Sequence, residues 1–280
     1  MYQPKTLADK ATLVRTSAKR QANSIKDEDA TSLVEQSYGT SGAGQFNKRL
    51  FKNSQRFLLM NQAIYALTKY VTENTSPWLD GGWRVLPNAQ YLEFTAAVRN
   101  KQQDIDNTVA EFNDHWEEEV AADMMRQGNM AKRGDYHKRH NMGVKVTFMP
   151  IANESDFRVD VTDEDRAALA QTMADVEATA ARDMLNRLIK PLSALSKKLG
   201  EFTGEKNQRF HESMVEVLGS VMDTLEKLNQ MNNDPVVATL ISDVRANFGS
   251  DIANPKKLKG NQQARDEAKA KLDNILAKFQ

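Results

Sequence analysis

Residues 163–200 read DEDRAALAQTMADVEATAARDMLNRLIKPLSALSKKLG, and the placing of their apolar side chains decides the fold. Leu169, Met173, Val176, Ala180, Met184, Leu188, Leu192, Leu195 and Leu199 recur at steps of three and four. That spacing lines one face of an α-helix. Thr162 precedes the run, and Asp163, Glu164 and Asp165 fill its first turn, where the helix dipole favours anions. Gly200 closes it. Pro191 lies inside the pattern and, lacking an N–H, predicts a bend there.

The same spacing appears on both sides. Phe46, Leu50, Phe57, Met60, Ile64, Leu67 and Val71 predict a helix over 46–73. Pro77, Gly81, Gly82 and Pro87 then forbid a long helix over 75–88. Asn88 caps a second helix running from Ala89 to about Gln127, striped by Tyr91, Phe94, Val98, Ile105, Val109, Phe112, Trp116 and Val120. Residues 128–143 are polar, basic and rich in turn formers. Val144, Val146 and Phe148 alternate, and after a polar turn so do Phe157, Val159 and Val161, which predicts a β-hairpin over 144–161.

Beyond the long helix, Phe210, Met214, Val217, Val221, Leu225 and Leu228 stripe a helix over roughly 205–231. Asp234 caps a shorter one that opens on Pro235, the favoured first position. NPKKLKG, from Asn254, is a breaker, and Leu272, Ile275, Leu276 and Phe279 mark a last charged helix over 261–279. Residues 1–45 are rich in Ser, Thr, Lys and Gln and predict a partly disordered basic arm, with helix over Thr6 to Lys19 at most. The expected fold is mainly α: an elongated bundle of long amphipathic helices with one inserted β-hairpin. The arm covers 1–45, the bundle 46–248, and a basic linker with the C-terminal helix 249–280.

Composition narrows the chemistry. The chain has no cysteine, so disulfides, thiolate metal sites and thiol nucleophiles are excluded. Lysine plus arginine balance aspartate plus glutamate at 38 each, so no net charge drives the whole molecule toward nucleic acid. No apolar leader and no long apolar run is visible, which points to the cytoplasm, and to the host cytoplasm if the chain is phage-encoded. Charge is unevenly placed, however. Residues 1–56 hold ten Lys/Arg against five Asp/Glu, 126–145 six against one, and 254–280 seven against three. Between Gln102 and Met125 there is no cation at all. Basic ends with an acidic middle suit protein assembly, or contact with a phosphate backbone.

No catalytic, cofactor or metal constellation stands out. His137 and His140 lie three apart among cations that oppose a divalent ion; His115 with Glu118 and Glu119 lacks the two-histidine helix signature; His211 is isolated. The glycines of Gly39 to Gly44 have no preceding strand and no G-K-[ST] ending. The acids of the second helix read as a solvated face or a docking face for a basic partner, with Glu117 and Glu118 at its centre. Trp78, Asp80, Trp83 and Arg84 form the densest cluster, with two of the three tryptophans inside six residues. They plug one end of the bundle or, with Tyr91, dock a partner, because Trp and Arg are enriched at interface hot spots.

At PWLDGGWRVLPNAQYLEF (77–94), followed by the acidic helix and VKVTFMPIANESDFRVDV (144–161), the chain resembles a phage and mobile-element family of unknown function. The likeness runs from about Phe46 to Phe248. It is most specific at Trp83-Arg84-x-Leu86-Pro87-Asn88-x-x-Tyr91 and at Asp156-Phe157-Arg158-Val159. Genes for such proteins often lie beside those for a MoxR-type AAA+ ATPase and a von Willebrand factor A protein. The resemblance implies an accessory or adaptor subunit of such a machine and carries no catalytic residues. The expectation is therefore a non-enzymatic interaction protein without cofactors, its partner a protein such as an AAA+ ATPase or a second copy. The alternatives are a nucleic-acid-binding accessory protein using the basic arms, or a virion or scaffold protein.

Overall fold

The computed structural model describes residues 6–42, 44–79, 81–152, 162–202, 213–252 and 255–279. The chain is mainly helical, with small antiparallel sheets. Its first elements are α1 (Leu7–Lys10), β1 (Ala11–Lys19), β2 (Ser24–Lys26), α2 (Glu28–Tyr38), β3 (Asn47–Arg49) and α3 (Gln55–Glu73). After them come β4 (Ser76–Pro77), β5 (Trp83–Pro87), α4 (Tyr91–Asp114), α5 (Trp116–Gln127) and β6 (Gly143–Pro150). The elements described after these are α6 (Asp163–Glu201), α7 (Ser213–Asn232), α8 (Pro235–Ile252), α9 (Pro255–Gly260) and α10 (Gln262–Leu276). Among the described residues no helix is long and apolar enough to cross a membrane.

Two compact units are formed, each from separated pieces of chain. One comprises Met1–Arg15, Thr72–Leu92 and Thr147–Gln280; the other comprises Thr16–Val71 and Glu93–Val146.

In the first unit α6 presents Met184, Leu188, Leu192, Leu195 and Leu199, all at most 1% exposed, to buried residues of α7, α8 and α10. Helix α6 runs through Pro191 without ending. The α7 face keeps Val221, Leu225 and Leu228 of the expected row at the core and differs from it toward the start of the helix. Val215, Leu218 and Met222 are buried with Leu225 and Leu228, whereas Val217 is 53% exposed. Both apolar rows exist in the sequence about 100° apart, and packing selects one. Residue 210 lies outside the described residues. Asp234 caps α8 as its sequence predicts, its Oδ1 accepting from the N–H groups of Val236 and Val237 at 2.9 and 3.0 Å. The stretch read as a breaker contains helix α9, and the last helix starts at an Asn261 cap.

Within the segment expected to be a basic arm, the described residues include α1, β1, β2 and α2. Thr6 and Asp9 cap α1, and the chain then turns extended at Ala11. Thr12, Val14 and Thr16 are β-branched, which favours a strand over the expected helix. Strand β1 has an interior place in a four-stranded sheet of order β4-β5-β1-β6, pairing antiparallel with β5 in the register Leu13↔Val85 and Arg15↔Trp83. Leu13 and Val14 point to opposite faces and are both buried. Strand β6 is the first half of the expected hairpin, and its neighbour in the sheet order is β1. The second half, 157–161, lies outside the described residues.

In the second unit the helix expected over 46–73 begins only at Gln55. Asn47–Arg49 pairs with Ser24–Lys26, and Phe51 adopts a left-handed φ of 55° that breaks any helix there. The Phe51 ring is the hub of the core, with centroids of Phe57, Phe112, Trp116 and Tyr136 between 5.3 and 5.5 Å away. The single helix expected over 89–127 is two, preceded by a 3₁₀ turn over Asn88–Gln90. The break is at His115, where the ring Nδ1 lies 3.0 Å from the Glu111 carbonyl and the residue's own N–H reaches that oxygen at only 3.4 Å.

Candidate functional site

The tryptophan hairpin is the first candidate. Strands β4 and β5 are joined by a turn in which Gly81 and Gly82 have φ of 81° and 74°, a region that side chains disfavour. The Trp78 N–H donates to the Trp83 carbonyl at 3.2 Å. Trp78 and Trp83 are both half-buried, packed against a cluster that includes Leu13, Val85 and Val176, and the Arg15 guanidinium lies 5.9 Å from the Trp83 ring centroid. Asp80 lies outside the described residues. Tyr91 stands at the surface, edge-on to Phe148 with centroids 5.4 Å apart. Leu79 beside the turn is 51% exposed.

Arg84 is engaged at the end of α3. Its Nε donates to Thr75 Oγ1 at 2.6 Å, and its Nη2 donates to the carbonyls of Thr75 and Thr72 at 2.8 and 3.1 Å. Arg187 adds donors to the Glu73 and Thr75 carbonyls, both at 2.8 Å, and pairs with Asp183 at 2.6 Å. Two guanidiniums thus donate to carbonyls at and just beyond the helix end. Burial, and then the neighbouring Arg187 charge, push Arg84 below its ordinary pKa. A side chain spent in this way is poorly placed to dock a partner.

The acidic helix and the basic loop, separate in sequence, meet in the second unit. Arg133 forks onto Glu117 at 2.8 and 2.9 Å, Lys132 reaches Asp29 at 2.6 Å, and Arg126 holds Asp123 at 2.6 Å. Lys138 donates to the Asn113 carbonyl at 2.9 Å and lies over the Trp116 ring. Arg56 bridges Glu111 and the buried Glu119 at 2.9 and 3.0 Å, and its hydrogen bond holds Glu111 below the usual carboxylate range. Buried Lys48 sits between Asp135 at 2.5 Å and Asp27 at 3.3 Å and donates to the Met130 carbonyl at 2.8 Å. Burial pushes its pKa down, but the two carboxylates outweigh this and raise it. Asp104, Asp114 and Glu118 remain at the surface with no carboxylate-to-cation pairing among the described residues.

A third feature was not visible as a site in the sequence. A groove of about 640 Å³ opens beside the start of α3, with Arg20, Arg49 and Lys52 in its lining. A smaller one of about 370 Å³ shares Arg20, Asn23 and Asn61 with it and adds Arg139. No aspartate or glutamate lines either groove. By contrast, the groove of about 690 Å³ between α7 and α8 carries its own Glu226–Arg245 ion pair at 2.9 Å.

No family model, curated protein or solved structure matches this chain. Among the described residues no three His, Asp or Glu side chains gather as a metal site. His137 and His140 are exposed, and His137 contributes its carbonyl to Gln21 Nε2 at 2.8 Å. His211 lies outside the described residues. The excess of cations in 1–56 and 126–145 was legible in the sequence. Which of them would be consumed by carboxylates, and which would gather at one groove, was not.

Proposed function

We propose that this is a non-enzymatic interaction protein, an accessory or adaptor subunit of a phage or mobile-element AAA+ ATPase acting in the host cytoplasm. The observation that supports it best is the acidic surface of α4 and α5. Asp104, Glu111 and Asp114 are spaced seven and three apart and share one helix face. Arg56 and Arg133 take up Glu111 and Glu117, but Asp104, Asp114 and Glu118 still face solvent, a surface suited to a basic partner. The tryptophan hairpin carries less of the reading, because Arg84 is spent on backbone carbonyls; Trp78, Leu79 and Tyr91 supply what that loop offers. The choice of an ATPase as partner rests on the family resemblance.

The test is binding of the purified chain to a MoxR-type AAA+ ATPase and a von Willebrand factor A protein, the pair whose genes often lie beside those of the family it resembles. Complex formation should weaken at least tenfold with Asp104→Lys, Asp114→Lys and Glu118→Lys combined, and should weaken with added salt. A complex insensitive to both would remove the acidic surface from the interface, and no complex at all would remove the adaptor role.

A second reading, nucleic-acid binding, is favoured by the uncompensated cations at the groove beside α3.

A further inference from the structure

In the second unit most cations of the basic stretches are spent internally. Arg56, Arg126, Lys132 and Arg133 each hold a carboxylate at 2.6–3.0 Å. Arg20, Arg49, Lys52 and Arg139 do not: all four are exposed, and among the described residues none has a carboxylate partner. Arg139 lies 87 to 119 residues along the chain from the other three, yet all four line two connected grooves that contain no acid. A groove that concentrates one sign of charge over a low-dielectric floor attracts the opposite sign. The start of α3 lies in the same lining, through Ser54 and Gln55, and adds the positive end of its dipole.

The floor says which anion fits. Phe57 offers a half-buried ring and Leu58 is 47% exposed; both line the groove. Asn23, Asn53 and Asn61 line it with amides that can donate and accept, although Asn61 Nδ2 already donates to the Phe57 carbonyl at 2.8 Å. Cations at the edge, with a ring and amides below, match a strand whose phosphates and base faces are both accessible. A duplex keeps its bases stacked and paired, so the floor would meet nothing.

We propose that this groove binds single-stranded nucleic acid, with phosphates on Arg20, Arg49, Lys52 and Arg139 and bases against the Phe57–Leu58 floor. The proposal rests on the nucleic-acid reading above and assigns it a place on the molecule.

The experiment is fluorescence anisotropy of a labelled oligothymidylate of about twenty nucleotides, titrated with the full chain at several salt concentrations. Four phosphate contacts predict a log–log salt slope near −2.8, or about fiftyfold weaker binding between ~50 and ~200 mM salt. Arg49→Glu with Lys52→Glu should weaken binding at least tenfold and lower the slope by about 1.4. Lys190→Glu, on α6 in the other unit, should change nothing. Arg20→Gln with Arg139→Gln provides a second, milder pair, and thermal melting of every variant confirms that it is folded. Absence of binding at the lowest salt would overturn both the groove and the nucleic-acid reading. Binding that survives both pairs would overturn the groove alone. A duplex of equal length bound as tightly would overturn the single-strand assignment.

Discussion

Arg84 lies next to the most conspicuous tryptophan in the sequence, and its chemistry explains why it serves the fold. A guanidinium has five donors in a rigid fork, and a helix end has carbonyls with no partner. Removing the fork takes one donor from each of the Thr72 and Thr75 carbonyls and one from Thr75 Oγ1, with Arg187 still donating to the Thr75 carbonyl. Arg84→Ala is expected to cost about 2–3 kcal/mol in chemical denaturation, and Arg84→Lys should recover only part of this. A cost below about 0.5 kcal/mol would return Arg84 to the list of free surface side chains. Asp123 supports a pH prediction. Burial pushes its carboxyl up, but Arg126, the Phe51 N–H, Tyr136 and Gln127 together hold it below the ordinary 3.8. A carboxyl with a depressed folded value contributes stability above its unfolded value and loses it as pH falls through the folded one. Melting temperature should therefore drop below about pH 4, and Asp123→Asn should make that acid limb shallower while lowering stability at neutral pH. Tyr136, raised by burial and by its 2.8 Å hydrogen bond to Asp123, works at the other end. Its contribution is present below its ordinary value of 10.0 and is lost as pH rises beyond it. Tyr136→Phe should remove that alkaline loss.

At the scale of an element, α7 carries two apolar rows and only packing tells them apart. Leu218→Ala should cost about 2–4 kcal/mol, because Leu218 is fully buried against the α6 face. Val217→Ser, one position away and 53% exposed, should stay within about 0.5 kcal/mol. Equal costs, read from urea midpoints, would mean that both rows are buried. In α6, Pro191 removes one backbone donor from a helix that nevertheless continues to Glu201. Pro191→Ala restores the donor and should raise stability by about 1 kcal/mol with the helix intact. A loss instead would show that α7 and α10 pack against a shape that only proline gives. Helix α3 shows how an apolar run misleads. Phe46 and Leu50 keep the helical spacing of the residues that follow, but Asn47–Arg49 pairs with β2 and Phe51 turns into the aromatic core. Their apolar character was legible; the strand pairing that claims them is a long-range contact.

Over the whole molecule, neither compact unit is one continuous piece of chain, so the first residues matter more than their polar composition suggests. Strand β1 lies between β5 and β6, with Ala11, Leu13 and Val14 buried. Deleting residues 1–20 should expose the edges of β5 and β6 and leave a chain that aggregates or shows no cooperative melt by circular dichroism. A soluble truncated protein with an unchanged melting temperature would contradict a structural role for the segment.

The helical class, the α6 stripe, the Asp234 cap and the glycine turn between the two tryptophans could be read from the order of residues alone. These depend on side-chain spacing and local backbone chemistry, which act over a few residues and are written consecutively in the chain. Long-range packing decided that Ala11 to Lys19 forms an interior strand after the short helix α1, which of two rows at the start of α7 is buried, and that Arg84 closes a helix end. It also decided which basic residues remain available. Lys132 and Arg133 are drawn down onto Asp29 and Glu117, while Arg20, Arg49, Lys52 and Arg139 are left around a groove free of acids. Charge counts along a chain are sums, whereas pairing depends on which carboxylate comes within about 4 Å, and that distance is fixed only when remote segments pack together.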